Sequence, residues 1–120
     1  MLKKLSFIEK SKIVKSYEIQ DFKQGKDFYY IKIKLVFIDE SEFYVREFTS
    51  EKDYLYSYHW QNKDGKLRIR WDNAPHHKDM RTFPHHKHSP KLEESTEIGF
   101  EEIMKFIEEK NEKRIKKQFF

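Results

Sequence analysis

The sequence contains no cysteine, and it has only three glycines and three prolines among 120 residues. Without cysteine the chain has neither a disulfide framework nor a thiolate nucleophile, and this composition is typical of a reducing cytoplasm. The sequence also lacks the glycine-rich loops that bind nucleotide phosphates, the dinucleotide fingerprint and the nucleophile elbow of serine hydrolases. We therefore expect no cofactor.

Long hydrophobic runs are also missing from the sequence. No apolar stretch approaches the roughly 18 residues that a membrane span requires, and the N-terminus has no secretory signal pattern. A cytoplasmic protein that does not bind membranes is expected. The chain is instead rich in rings, with 7 Tyr, 11 Phe and 2 Trp. Because aromatic side chains bury large areas, these residues can build one core, and the length predicts a single domain over residues 1–120.

The net charge of +4 is distributed unevenly along the chain. Residues 66–91 contain seven Lys or Arg and two Asp, so this segment has a net charge of +5 and the rest is slightly acidic. Five of the six histidines lie in the same segment. A cationic patch interleaved with aromatic residues predicts binding to a polyanion such as RNA. A solvated basic loop is the alternative.

Alternation of apolar and polar residues predicts an α+β fold with about five antiparallel strands in a meander. The segment at 28–38 shows the pattern best, with Ile31 and Ile33 on one face and Lys32 and Lys34 on the other. The predicted strands are 13–22, 28–38, 43–48, 54–61 and 66–72.

A C-terminal helix is predicted from about Ile98 to Lys113, capped by Ser95 or Thr96, and packed on one face of the sheet. The first ten residues predict a short helix or an edge element. Residues 76–92 show no periodicity and predict a long, histidine-rich loop between the sheet and the helix. The buried stripe of the helix is expected to contain Phe100, Ile103, Met104 and Ile107.

The turn at 62–65 predicts the register of the last hairpin, because Gly65 suits the left-handed position of a type I turn followed by a bulge. This turn places Trp60 opposite Arg68 and Tyr58 opposite Arg70. We assign one face to solvent or ligand: Tyr56, Tyr58, Trp60, Arg68 and Arg70. We assign the other face to the core: Leu55, Ser57, His59, Leu67, Ile69 and Trp71. On this face His59 would bond a neighbour. A slip of one residue would exchange the faces, and structural stacking of tyrosine on arginine is an alternative.

The histidine cluster favours metal-independent cleavage of RNA. The reaction needs a base for the 2′-hydroxyl proton, an acid for the leaving 5′ oxygen and a cation at phosphorus, and His and Arg supply these groups. In an extended segment, residues 86 and 88 point one way, and 85 and 87 the other. The catalytic candidates are His76, His77, His86 and His88, with Arg70 on phosphate and Asp72 orienting an imidazole. The predicted RNA contacts are Arg68, Tyr56, Tyr58, Trp60, Arg81 and Lys87.

Other interpretations of the same residues stay open. His86 and His88 with His76 or His77 would give three imidazole ligands for zinc, nickel or copper, although no cysteine and no HisGluXXHis pattern accompanies them, and we predict no metal. A non-catalytic RNA-binding or protein-interaction module, with structural histidines, is the second alternative. The closing Phe119 and Phe120 would pack on the core or on another chain, so a homo-oligomer stays open.

Three blocks of the sequence closely resemble the TumE family of small prokaryotic proteins. They are Tyr-Ser-Tyr-His-Trp-Gln at 56–61, Arg-Trp-Asp-Asn-Ala-Pro-His-His at 70–77, and Thr-Phe-Pro-His-His-Lys-His at 82–88. Their order and spacing make a chance match improbable. The resemblance implies the toxin component of a toxin–antitoxin pair, with a cognate antitoxin protein, often of a DNA-binding type, as partner.

Overall fold

The computed structural model describes residues 2–73, 86–88, 92–94 and 99–119. Within these residues, seven strands form one antiparallel sheet in chain order, flanked in sequence by two helices. The predicted α+β meander with a C-terminal helix is confirmed, and the first five strands each lie within two residues of their predicted bounds. The elements are α1 (Leu2–Lys10), β1 (Val14–Gln24), β2 (Phe28–Phe37), β3 (Glu42–Ser50), β4 (Tyr54–Gln61), β5 (Leu67–Asp72), β6 (His86–His88), β7 (Leu92–Glu94) and α2 (Phe100–Phe119).

The segment predicted as one irregular loop contains part of the sheet, so this prediction was wrong for β6. β6 pairs with β5, and β7 pairs in turn with β6. Strands of three residues are too short to show a period-2 pattern, which explains why neither strand was predicted. The remainder of the predicted loop, residues 76–85 and 89–91, lies outside the described residues.

The core lies between one face of the sheet and the two helices. The inward residues of β2 from Ile31 to Phe37 are completely buried, and the predicted stripe of α2 from Phe100 to Ile107 is buried. The Phe100 ring stacks 6.5 Å from Phe43 of β3 and meets Phe7 of α1 edge-on at 6.1 Å. We call this side of the sheet the helix face. The side formed by the alternate residues of β2 to β5 is called the open face.

The predicted register of the last hairpin was wrong by one residue. Gln61 faces Leu67 beside the turn, as expected, but the register then shifts, so that Trp60 faces Ile69 and Tyr58 faces Trp71. Arg68 is the extra residue of this bulge, and Gly65 has the predicted positive φ, at 90°. One extra residue in β5 changes which side chains of β4 and β5 share a face of the sheet. The aromatic residues of β4 therefore lie on the helix face.

Candidate functional site

Two rows of polar residues cross the open face from β2 to β5. Each row consists of residues that lie directly opposite one another in neighbouring strands, and such residues share one face of a sheet. β6 continues the first row at His86 and the second at His88. The first row contains Lys32, Arg46, Ser57 and Asp72, and the second contains Lys34, Tyr44, His59 and Arg70.

Arg70 is held between two neighbours on this face. Its Nε donates to Asp72 Oδ2 at 3.1 Å, and its Nη1 lies 3.3 Å from His59 Nδ1. The Asp72 side chain is almost completely buried, whereas 40% of the Arg70 side chain is exposed. Arginine has five N–H donors, and these two contacts use two of them, so Arg70 is positioned in advance to bind an anion from solvent.

His59 is neutral in this arrangement, and its tautomer follows from its neighbours. Arginine only donates hydrogen bonds, so His59 Nδ1 accepts from Arg70 and the proton lies on Nε2, which donates to Gln61 Oε1 at 2.9 Å. Burial lowers the pKa of His59, and the charge of Arg70 lowers it further, while the hydrogen bond with Gln61 opposes both effects. His59 therefore acts as an acceptor that orients Arg70. The prediction that it lies on the core face was wrong, although it does bond its neighbours.

Arg46 lies between two cavities of the open face. Its side chain is exposed, and among the described residues no carboxylate lies within ion-pair distance of it. A hollow of about 490 Å³ and a second one of about 290 Å³ both border Arg46, Ser57 and Arg70. Lys32 lines the smaller hollow, so three cationic side chains surround the polar centre of this face.

Tyr56, Tyr58 and Trp60 do not lie on the open face, contrary to prediction, because with the bulge they share the core side of the sheet with Trp71. Their exposed fractions are 4%, 0% and 4%. The Tyr58 hydroxyl donates to Glu47 Oε2 at 2.7 Å, and Trp60 Nε1 donates to Ser41 Oγ at 3.0 Å. These contacts satisfy the polar atoms of the Tyr58 and Trp60 rings, and the Tyr56 ring stacks on Tyr58 with centroids 5.4 Å apart, so the three residues pack in the core.

Arg68 also has a structural role. It forms an ion pair with Asp39 in the β2–β3 turn at 3.1 Å, hydrogen bonds Asn62 through Nε, and lies over the Trp60 ring at 4.7 Å. Its side chain is only 18% exposed. The contacts of Arg68 therefore differ from those of Arg70, although both arginines were assigned to the same predicted site.

The structure brings four of the predicted site residues into one region of the backbone. In the β5–β6 register Arg70 lies opposite His88, and Asp72 lies opposite His86. Lys87 lies opposite Trp71, which belongs to the helix face. Three further candidates, His76, His77 and Arg81, are outside the described residues.

The part that Arg46 and Lys32 play in this site, and the role of His59, were not predicted from the sequence. The signal was present in the alternation of β2 and β3, where both cations occupy outward positions. A single outward Lys or Arg is usual on any half-exposed strand, however, and only the pairing of Lys32 with Arg46 across the strands makes them neighbours.

Neither a metal site nor a membrane span is found in the described part of the chain. No three His, Cys, Asp or Glu side chains there are grouped so that they could hold a metal ion. Neither described helix is long and apolar enough to cross a membrane.

Comparison with known proteins supports the resemblance seen in the sequence. The family model described as Toxin TumE matches residues 4–111. No curated protein and no solved structure was found to match the chain. A toxin family implies an antitoxin partner. Since the match covers nearly the whole chain, the protein belongs to the TumE toxin family and is the toxin component of a toxin–antitoxin system.

Proposed function

We propose that the protein is an endoribonuclease whose active site lies at the β5–β6 edge of the open face. The observation that carries this proposal is the register in which Arg70 lies opposite His88 and Asp72 opposite His86. Directly opposed residues share a face, with their Cβ atoms about 4.5–5.5 Å apart. Two imidazoles, an arginine and a carboxylate then belong to one short stretch of sheet.

The proposed reaction is a transesterification within the RNA strand. One histidine of the pair His86 and His88 accepts the 2′-hydroxyl proton, and the 2′ oxygen forms a bond to phosphorus. The bond from phosphorus to the 5′ oxygen breaks, and the other histidine gives that oxygen its proton. The products are a 2′,3′-cyclic phosphate and a 5′-hydroxyl end. Histidine suits both steps because its ordinary pKa lies near neutrality.

Arg70 supplies the positive charge that the transition state requires. Charge accumulates on the phosphoryl oxygens during the attack, and a guanidinium already fixed in place stabilises it without reorganisation. Asp72 and His59 hold that guanidinium from two sides. In this proposal Asp72 also orients His86, its partner in the register. Arg46 and Lys32 extend the positive charge along the open face and bind neighbouring phosphates.

His76 and His77 stay candidates on the sequence alone. They follow β5 by four and five residues, and either one is an alternative partner for His86 or His88 in proton transfer. Single alanine variants at the four positions identify the pair that acts.

The proposal is tested with a 5′-labelled single-stranded RNA incubated with the protein in excess EDTA. General acid–base groups contribute about 10²–10⁴-fold to rate, so His86→Ala and His88→Ala are each expected to lower cleavage by at least about 100-fold. His85→Ala is the matched control, because the sequence predicts that residues 85 and 86 of an extended segment point in opposite directions. Product ends are identified by their sensitivity to a phosphatase that opens cyclic phosphates.

Each result separates the alternatives. Cleavage that persists in EDTA and fails in the His86 and His88 variants supports acid–base catalysis. Cleavage that EDTA abolishes contradicts the proposal and favours a metal-dependent nuclease. RNA that stays intact, yet is retained by the protein in a salt-sensitive way, contradicts it in favour of a non-catalytic binder.

A further inference from the structure

We infer that the larger hollow of the open face is a subsite for one unpaired base of a single-stranded RNA. The inference rests on the proposed function, since it names the form of the polymer that the same face binds. The hollow of about 490 Å³ is lined by apolar side chains and by Arg46 and Arg70, with the Asp72 carboxylate, which is paired with Arg70, also in its lining. A nucleotide has the same division between an apolar ring and an anionic phosphate.

The apolar side of the hollow is a row across three strands. Tyr30 of β2 lies opposite Phe48 of β3, which in turn lies opposite Leu55 of β4. Leu55 is 47% exposed, and the neighbouring Phe28, 42% exposed, stacks on Phe48 with ring centroids 6.4 Å apart. Apolar and aromatic side chains exposed together on one face, beside a cluster of cations, favour a ligand that stacks and is negatively charged.

The row of apolar residues is adjacent to the row that contains Arg46. Phe48 and Arg46 are two residues apart on one strand, as are Leu55 and Ser57 on the next. A base stacked on Phe48 therefore has its backbone beside the Arg46 guanidinium. Within the described part of the chain no hydrogen bond of the Ser57 hydroxyl is found, and Ser57 lines the same hollow, where this hydroxyl can bond a base edge or a phosphate oxygen.

The arrangement favours a single strand over a duplex. In an RNA helix the base faces are stacked on each other and do not reach a protein side chain, whereas unpaired bases stack freely on aromatic rings. The subsite replaces the predicted stacking by Tyr58 and Trp60, whose rings are buried. It requires no particular base, because every base has a π-face.

The inference is tested by measuring the affinity of the full-length protein for a fluorescent 12-nucleotide RNA of mixed sequence, methylated at every 2′ oxygen. This probe cannot undergo attack by the 2′ oxygen, so the wild-type protein is used and binding is separated from cleavage. Phe48→Leu removes a ring and keeps an apolar side chain. Phe22→Leu is the matched control, because Phe22 is 39% exposed and lies opposite Ile31 on the helix face.

Phe48→Leu is expected to raise Kd about fivefold or more, since base–aromatic stacking contributes about 5- to 150-fold per base. Phe22→Leu is expected to change Kd less than about twofold. The slope of log K against log salt is negative, and it is expected to stay the same in Phe48→Leu. In Arg46→Gln it is expected to become less negative by about 0.7, the loss of one phosphate contact on a single strand. Leu55→Tyr adds a ring at an exposed position and is expected to lower Kd.

Equal Kd values for Phe48→Leu and Phe22→Leu would overturn the inference, and so would equal affinity of the wild type for the single strand and for its duplex. A Phe48→Leu variant that loses affinity for the antitoxin but not for RNA would assign the hollow to the partner protein instead. Failure of the proposed function is a different result, because unmethylated RNA would then stay intact while the 2′-methylated probe still binds through the hollow.

Discussion

Replacing Tyr58 by Phe removes one oxygen atom from the core and tests the register on which the site depends. The ring of Tyr58 is completely buried, and its hydroxyl donates to Glu47 Oε2 at 2.7 Å. Glu47 is itself only 7% exposed, and Lys4 of α1 forms an ion pair with its other oxygen. The Tyr58→Phe variant keeps the shape of the ring and removes the hydrogen bond to a buried carboxylate, together with the longer contact of 3.5 Å with the Tyr54 hydroxyl.

The expected loss in the free energy of unfolding is about 1.5–3 kcal/mol, the usual contribution of a hydrogen bond to a charged group. The loss is at this level because water cannot readily replace a donor to a carboxylate that is so little exposed. In a Glu47→Gln background the acceptor is neutral, and the same Tyr58→Phe change is expected to cost only about 0.5–1.5 kcal/mol. The difference between the two backgrounds measures the interaction of the hydroxyl with the charge.

Urea unfolding followed by tryptophan fluorescence measures these values. Tyr54→Phe is the control, since its hydroxyl lies 3.5 Å from that of Tyr58 and its loss is expected to cost no more than about 0.5 kcal/mol. RNA cleavage or binding by folded Tyr58→Phe is expected to equal that of the wild type. A Tyr58→Phe variant as stable as the wild type would refute the reasoning, because it would show that the hydroxyl faces solvent and that the strand has the other register.

Three further predictions concern the open face and the bulged hairpin. Folding lowers the pKa of His59, so the unfolded chain binds this proton more readily than the folded one. The free energy of unfolding is therefore expected to decrease as pH falls below about 6.5, and His59→Asn is expected to remove this part of the pH dependence in urea titrations. Arg68→Met breaks the ion pair with Asp39 and is expected to lower stability by about 1 kcal/mol while RNA binding stays unchanged; weaker RNA binding at equal stability would contradict the structural role. Gly65→Ala is expected to destabilise the protein by about 1 kcal/mol or more in thermal unfolding, because alanine is strained at a φ of 90°, and Gly99→Ala, which meets no atom within 4 Å, is the control.

The sequence was sufficient to predict the elements that repeat a pattern over several residues. The alternation around Ile31 and Ile33 predicted β2 and its buried face, and the helical spacing from Phe100 to Ile107 predicted the helix that covers it. β6 was not predicted, because three residues cannot establish a period, and its pairing with β5 depends on contacts between segments distant in the chain. The length of α2 was underestimated for a related reason, since residues 114–119 are mostly basic or polar and Asn111 interrupts the apolar spacing before them.

The candidate site was predicted in part, and a single residue explains both the success and the failure. The turn at 62–65 was interpreted correctly, but the face on which each side chain beyond it lies depends on the bulge at Arg68. No local sequence pattern reveals this bulge. With the bulge, Tyr58 pairs with Trp71 in the core, and Arg70 meets His59 instead of a tyrosine. The same shift that removes the buried rings from the site thus gives Arg70 its acceptor. The ion pair with buried Asp72 and the contact with neutral His59 fix the position of the Arg70 guanidinium, and the N–H groups that these two contacts do not use can bind an anion from solvent.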